Sequence, residues 1–195
     1  RSARPAREAY QKADSMLAQA TRLAPEWDLP WVERAETSYR LLWIELLSDA
    51  GDRLAQRELV ARGLRFAAEA AARGGGQAES LELHALLLEW EWLLSQPDAS
   101  GRSAETLARA EADARRATEL DPHRSRAWSV LGATLLHRGA WAEAYWALGR
   151  AIAADTHLEN DAEIVYRLFT AAWEAGNPRG AAAWCRLLAE RSAPG

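Results

Sequence analysis

The side chains best suited to chemistry in this chain are four histidines, one cysteine and a few closely spaced acids. None falls into a spacing that performs a reaction. His84, His123, His137 and His157 lack the HExxH interval that sets two imidazoles on one helix face around a metal ion, so they read as surface or half-buried residues. Cys185, without a second cysteine, excludes an internal disulfide and a multi-cysteine metal site. It lies on an alanine-rich helix face with no helix start or basic cluster beside it to favour the thiolate, so it reads as a buried small apolar residue. Gly74-Gly75-Gly76 invites comparison with a phosphate cradle, but no Gly-Lys-Ser/Thr follows and no strand precedes, and the triplet reads as a connector. Asp161 and Glu163 suit the positive end of a helix rather than acid–base work. No Ser/His/Asp or Cys/His set and no aspartate-rich motif of an all-α lyase or synthase is visible. The expectation is a protein that is not an enzyme, with no cofactor and no metal.

The aromatic residues carry more information. Ten tryptophans in 195 residues is a high number. Trp31 and Trp128 read as core anchors and Trp141 as a packing residue at a helix junction. Trp27, Trp43, Trp90, Trp92, Trp146, Trp173 and Trp184 cannot all point inward, because Trp90 and Trp92 stand two apart on one helix and face different ways. Some of these rings are expected to meet solvent or a partner.

The elements that position them are helices. The chain is rich in Ala, Leu, Glu and Arg, and no segment alternates with a period of two, so the fold class is all-α. Apolar spacing predicts helices over 5–23, 28–48, 52–73, 78–95 and 104–120. Pro5 opens the first, Asp28 caps the second and Ser103 caps the fifth. Asp49-Ala50-Gly51 and the polar loop from Ser95 to Gly101 are read as turns. Residues 81–94 are apolar nearly all round, which marks a helix central to the packing or in contact with a partner. Net charge is −4, with 16 acids and 12 bases in residues 1–100 and 12 of each in 101–195. No basic stripe exists, so nucleic acid is not an expected partner. No run of 18 apolar residues exists, so no membrane-spanning segment is expected. Lys12 is the only lysine among 24 basic residues, a usage associated with GC-rich bacterial genomes. The chain opens on Arg1 rather than methionine, which points to an upstream signal, anchor or domain. Localisation is therefore left open, with the cytoplasm as the default.

Two internal comparisons indicate repetition. Ala20-Thr21-Arg22-Leu23-Ala24-Pro25 followed by Trp31 recurs as Ala117-Thr118-Glu119-Leu120-Asp121-Pro122 followed by Trp128. Ala110, Ala114 and Ala117 match Ala144, Leu148 and Ala151 at the repeat offset of 34 residues. From Trp128 to Asp155 two amphipathic helices meet at His137-Arg138-Gly139, with Trp128, Leu131, Gly132 and Leu135 facing Ala144, Leu148 and Ala151. This stretch resembles a tetratricopeptide repeat, on Trp128, Leu131-Gly132, Gly139, Trp141-Ala142-Glu143-Ala144, Leu148, Ala151 and Asp155, with Thr156 where the family usually has proline. The resemblance is clearest over 103–155 and is similar to tetratricopeptide regions of bacterial signalling proteins. It implies one continuous helical repeat domain over 1–195, a tetratricopeptide-like α-solenoid of about nine helices. A lone or half-repeat helix (5–23) precedes helix pairs over 28–73, 78–120, 125–155 and 160–191. In the last pair Asn160 or Asp161 is the cap, Gly176-Asn177 the turn and Pro178 the opening of the second helix. Val165, Leu168 and Ala172 there face Ala181, Cys185 and Leu188. Phe169 stands where the family prefers glycine.

In that family the first helix of each pair lines a concave groove. The groove implied here carries Glu33, Glu36, Tyr39 and Arg40, then Glu82, Leu86, Glu89 and Trp90. Arg126, Ser129, Ala133 and His137 follow, and last Tyr166, Arg167, Thr170 and Trp173. The partner implied is a protein or peptide, with aromatics as anchors and charge setting direction. The Lys/Asn/Arg clamp that some members use for acidic chaperone tails is missing, since Ser129 and Ala133 stand at its positions. The expected function is a protein–protein interaction scaffold or adaptor. The alternative is a peripheral structural subunit that stabilises a large, membrane-associated multi-subunit complex, for which excess tryptophan and the apolar helix are the arguments.

Overall fold

A computed structural model describes residues 4–48, 51–74, 77–95 and 101–192. Asp49 and Ala50 of the expected turn, Gly75 and Gly76 of the triplet, 96–100 of the polar loop and 193–195 of the tail lie outside the described residues. The described residues form nine α-helices and no strand: α1 (Arg4–Leu23), α2 (Leu29–Leu46), α3 (Arg53–Ala72), α4 (Gln77–Ser95), α5 (Gly101–Leu120), α6 (Ser125–His137), α7 (Trp141–Ala154), α8 (Ala162–Glu174) and α9 (Pro178–Ser192). Consecutive helices pack against each other, as in a helical repeat. Two compact units, Arg1–Asp113 and Ala114–Gly195, divide within α5.

In the first unit α2 lies against α1, α3 and α4, and α3 against α4. Val32, Ala35, Phe66, Ala67, Ala70 and Leu83 form one core cluster, with Trp31 packed on it. Leu42, Val60 and Leu94 form a second, flanked by Tyr39, Leu46 and Trp90. The helix apolar nearly all round is α4, and it is hidden: Leu83, Ala85, Leu86, Leu87 and Leu88 are all buried. Asp52 caps α3 by accepting from the Leu54 N–H at 2.8 Å. Asp28 does not cap α2. Its own backbone is already helical, and Pro30 at the second helical position has no N–H to offer a capping carboxylate. Ser103 is no cap either, because α5 begins at Gly101 and takes Ser103 into its first turn.

In the second unit the two expected turns share one construction. Gly139 and Gly176 adopt φ of 75° and 70°, where a side chain would be strained. Ala140 N–H then reaches the Leu135 carbonyl, and Asn177 N–H the Ala172 carbonyl, both at 2.9 Å. These are six-to-one closures that satisfy a helix end and send the chain back antiparallel. Gly132 lets α6 and α7 approach closely: a Cβ there would stand 2.5 Å from Leu148 Cγ. Asp155 and Thr156 start a short 3-10 helix, Thr156–Asn160, after which Asp161 caps α8 by accepting from Glu163 and Ile164. Ala110, Ala114 and Ala117, and Ala144, Leu148 and Ala151, are all fully buried, so the 34-residue correspondence holds in burial. Cys185, read from sequence as buried, is exposed. Among the described residues α9 packs chiefly on α8, with Gly180 beside Tyr145 of α7, and the cysteine falls outside the covered side.

Candidate functional site

One side of α2 is a stripe with helical spacing: the exposed Glu33, Arg40 and Trp43, with the half-buried Glu36 among them and the exposed Leu47 just past the helix end, recur at intervals of three and four. Its opposite side supplies the buried Val32, Ala35, Leu42 and Glu45, so packing on α1, α3 and α4 fixes which way the stripe points. Arg40 Nε donates to Glu36 Oε1 at 2.7 Å and lies 5.9 Å from the Tyr39 ring. One turn on, three rings meet edge to face. Tyr39 and Trp43 have centroids 6.3 Å apart at 83°, and Trp43 and Trp90 of α4 are 5.6 Å apart at 77°. Trp43 remains 39% exposed, whereas Tyr39 and Trp90 are half-buried between helices.

Alongside this stripe α1 and α2 enclose a groove of about 510 Å³. Tyr10, Ala13, Met16 and Leu17 supply its apolar wall, while Glu33, Glu36, Thr37 and Arg40 supply the other. Met16 is 63% exposed and leaves its flexible thioether chain at the mouth of this groove. The groove and the aromatic cluster are contiguous through α2.

Of the residues singled out in the sequence, Glu33, Glu36, Tyr39, Arg40 and Trp90 are brought together here. Glu82, Leu86 and Glu89 are not available for contact: they are buried at 1%, 7% and 2% exposure, because α4 is covered on nearly every side. In the second unit Arg126, Ser129, His137, Arg167 and Thr170 are half-buried and Ala133 is buried. Arg167 donates to Glu163 at 2.9 Å. Tyr166 and Trp173 are exposed, and Phe169 stacks on Trp173 at 6.4 Å. Sequence reasoning left out Trp43, Met16 and Tyr10 as site residues. The signal for Trp43 was its place in register with Glu33, Glu36 and Arg40; that for Met16 and Tyr10 required knowing that α1 lies beside α2.

Two other concavities differ in character. Between α1, α2 and α3 a groove of about 500 Å³ holds Arg7, Arg62 and Arg65, but Glu45 and Glu58 share its wall and Arg7 is paired with Glu45. In the second unit a smaller cleft of about 280 Å³ is lined by Leu131, Leu135, Ala142 and Trp146, with Arg115 bound to Glu143 at its edge. Of the histidines, His84 Nδ1 lies 2.7 Å from Asp113 Oδ2. Among the described residues no three His, Cys, Asp or Glu side chains converge on a point a metal ion would occupy, and no helix is long and apolar enough to cross a membrane. No protein-family model matches the chain, and no curated protein is similar to it in sequence.

Proposed function

We propose that this chain is a tetratricopeptide-like protein-interaction scaffold without catalytic activity, and that its partner lies along the exposed face of α2. The observation that carries this reading is the exposed Trp43, held edge to face by the half-buried Tyr39 and Trp90, beside a groove walled by Tyr10, Met16 and Leu17. Rigid aromatic rings on packed helices present large contact area at little entropic cost, which is how binding hot spots are built. The face belongs to a first helix of a pair, the position that the resemblance assigns to ligand contact.

The alternative, a structural subunit of a larger complex, drew part of its support from the apolar helix. That helix is α4, and the chain's own packing accounts for its apolar surface. The exposed Trp146 and Trp173 remain the argument for a broader interface. Paired affinity capture from source cells tests the proposal, with the native chain, Trp43→Ala and Trp173→Ala as baits and mass spectrometry as readout. Loss of one stoichiometric partner with Trp43→Ala alone is the expected result. Equal capture by all three, with the fold intact by circular dichroism, removes the α2 face from consideration.

A further inference from the structure

We infer that α1 pairs with α1 of a second copy of this chain, antiparallel and about a twofold axis, through an apolar row that its own fold leaves open.

The row is Ala6, Ala9, Ala13, Met16, Ala20 and Leu23. Its intervals alternate between three and four without a break, the spacing of a seam between two packed helices. It lies about a third of a turn round α1 from the side that α2 holds. On that held side Arg7 is paired with Glu45, Asp14 accepts from Arg34 at 2.9 Å and Thr21 is buried. Along the row Ala6 and Ala9 are exposed, Ala13 and Ala20 half-buried, Met16 63% exposed and Leu23 87%.

The repetition within the chain shows what such a side meets when it is covered. Aligned on the phrase shared by 20–25 and 117–122, Ala13 matches Ala110 and Met16 matches Asp113. Ala110 is fully buried, and Asp113 lies 2.7 Å from His84 of α4. A helix therefore runs along that side of α5. On α1 the matching side is open, and it carries Ala6, Ala9 and Met16 where α5 has Ser103, Thr106 and Asp113. The helix with the uncovered side is the one with the apolar residues on it.

The register of the row selects a second copy as the covering helix. A twofold axis crossing α1 between Asp14 and Ser15 sets Leu23 on Ala6 of the second copy, Met16 on Ala13 and Ala20 on Ala9. Large side chains meet small ones, and the contacts read the same from either copy, as an isologous interface requires. Gly132 receives Leu148 in the same large-on-small manner where α6 meets α7. The polar flank agrees in charge. Glu8, which also holds Arg4, comes level with Arg22 of the second copy, and Lys12 comes level with Gln19, so no like charges face each other. The seam runs about 25 Å, and two such helices bury on the order of 1,000 Å² in total, the low end for a specific interface. The dimer therefore depends on concentration. It uses α1 and does not require Trp43, so it stands apart from the α2 reading.

Sedimentation equilibrium of the full chain from roughly 1 to 200 µM should show monomer and dimer exchanging. Met16→Glu should weaken dimerisation about thirtyfold or more, because it puts a charge into the seam. Met16 is exposed in the single chain, so circular dichroism should show the fold unchanged. Trp43→Ala should leave the dimer as it is. Cysteine cross-linking in a Cys185→Ser background reads the register. Ala9→Cys with Ala20→Cys should give a disulfide-linked dimer under mild oxidation, and Ala9→Cys alone should not. A chain that stays monomeric throughout, or a dimer indifferent to Met16→Glu, overturns the proposal and leaves the row to a helix of another protein. Cross-linking by Ala9→Cys alone overturns the antiparallel pairing. A dimer lost with Trp43→Ala but kept with Met16→Glu puts the second copy on α2 instead and overturns the seam.

Discussion

The same six-residue phrase followed by a tryptophan closes a corner in each unit, and the two corners use it differently. At 117–128 the Trp128 indole N–H donates to the Pro122 carbonyl at 2.9 Å, and the ring is buried with Arg150 against it. At 20–31 the matching carbonyl of Pro25 accepts instead from Arg73 Nε. Trp31 keeps its ring under the Arg73 guanidinium, but its indole nitrogen is buried with no partner. The threonine of the phrase behaves alike in both. Thr21 and Thr118 are both buried and both donate to the carbonyl three residues back, at 3.1 and 2.8 Å. One unit closes its corner through the backbone carbonyl and the indole; the other inserts an arginine between them. A shared sequence phrase therefore fixes the path of the chain without fixing which groups bond there.

The largest way to break the second corner is Trp128→Ala, which removes a buried ring and its hydrogen bond together. It should cost about 3–5 kcal/mol in chemical denaturation followed by helical circular dichroism. Loss of under about 1 kcal/mol would mean that the ring is not the anchor of its unit. Next comes the helix contact beside it. Gly132→Ala forces a methyl to within 2.5 Å of Leu148 Cγ and 3.3 Å of its backbone nitrogen, so the side chain alone cannot yield. Overpacking outweighs the better helix propensity of alanine, and a net loss of about 1–2 kcal/mol is expected. In the first unit the residue at the same offset is Ala35, itself fully buried. There the reverse change, Ala35→Gly, should be the destabilising one, by about 1 kcal/mol. If both glycines were preferred, the two units would not differ in how closely their helices approach.

That contrast marks how far the sequence could be read. Helical period and turn residues are local, so the all-α class, the Gly139 and Gly176 turns and the Asp161 cap were legible. For Leu81–Leu94 the sequence narrowed the choice to central packing or a partner contact, and the packing is what the structure supplies. What failed depended on neighbours. Glu82 and Glu89 follow groove spacing, yet the covering of α4 buries them. Cys185 follows core spacing, yet it falls outside the side of α9 that α8 covers. Asp28 is a good cap residue by type, but its backbone is helical, Pro30 offers no N–H and the Trp31 N–H goes to the Asp28 carbonyl. The candidate site divides in the same way. The carboxylates and Trp90 follow from one helix's register, while Met16 and Tyr10 join it only through the packing of α1 on α2.

A finer comparison replaces each tryptophan with phenylalanine. Both changes lose similar ring area, but Trp128→Phe also strips the Pro122 carbonyl of its donor, whereas Trp31→Phe removes an orphaned N–H. Trp128→Phe should therefore cost about 1–2 kcal/mol more than Trp31→Phe. The smallest effect is the most informative about why the corners differ. Arg73 occupies the carbonyl that the Trp31 indole would otherwise use, so Arg73→Ala gives up the stack and its bonds to Pro25 and Glu69 but frees the Pro25 carbonyl for the indole. In that background the first corner acquires the bonding of the second, and Trp31→Phe should cost more than it does in the native chain. A double-mutant cycle on Arg73 and Trp31 should return a coupling of about 1 kcal/mol, with the sign that makes the double variant worse than the sum. Additive effects would mean that the indole cannot reach Pro25 even when it is free. The difference between the corners would then lie in backbone geometry rather than in competition for one carbonyl.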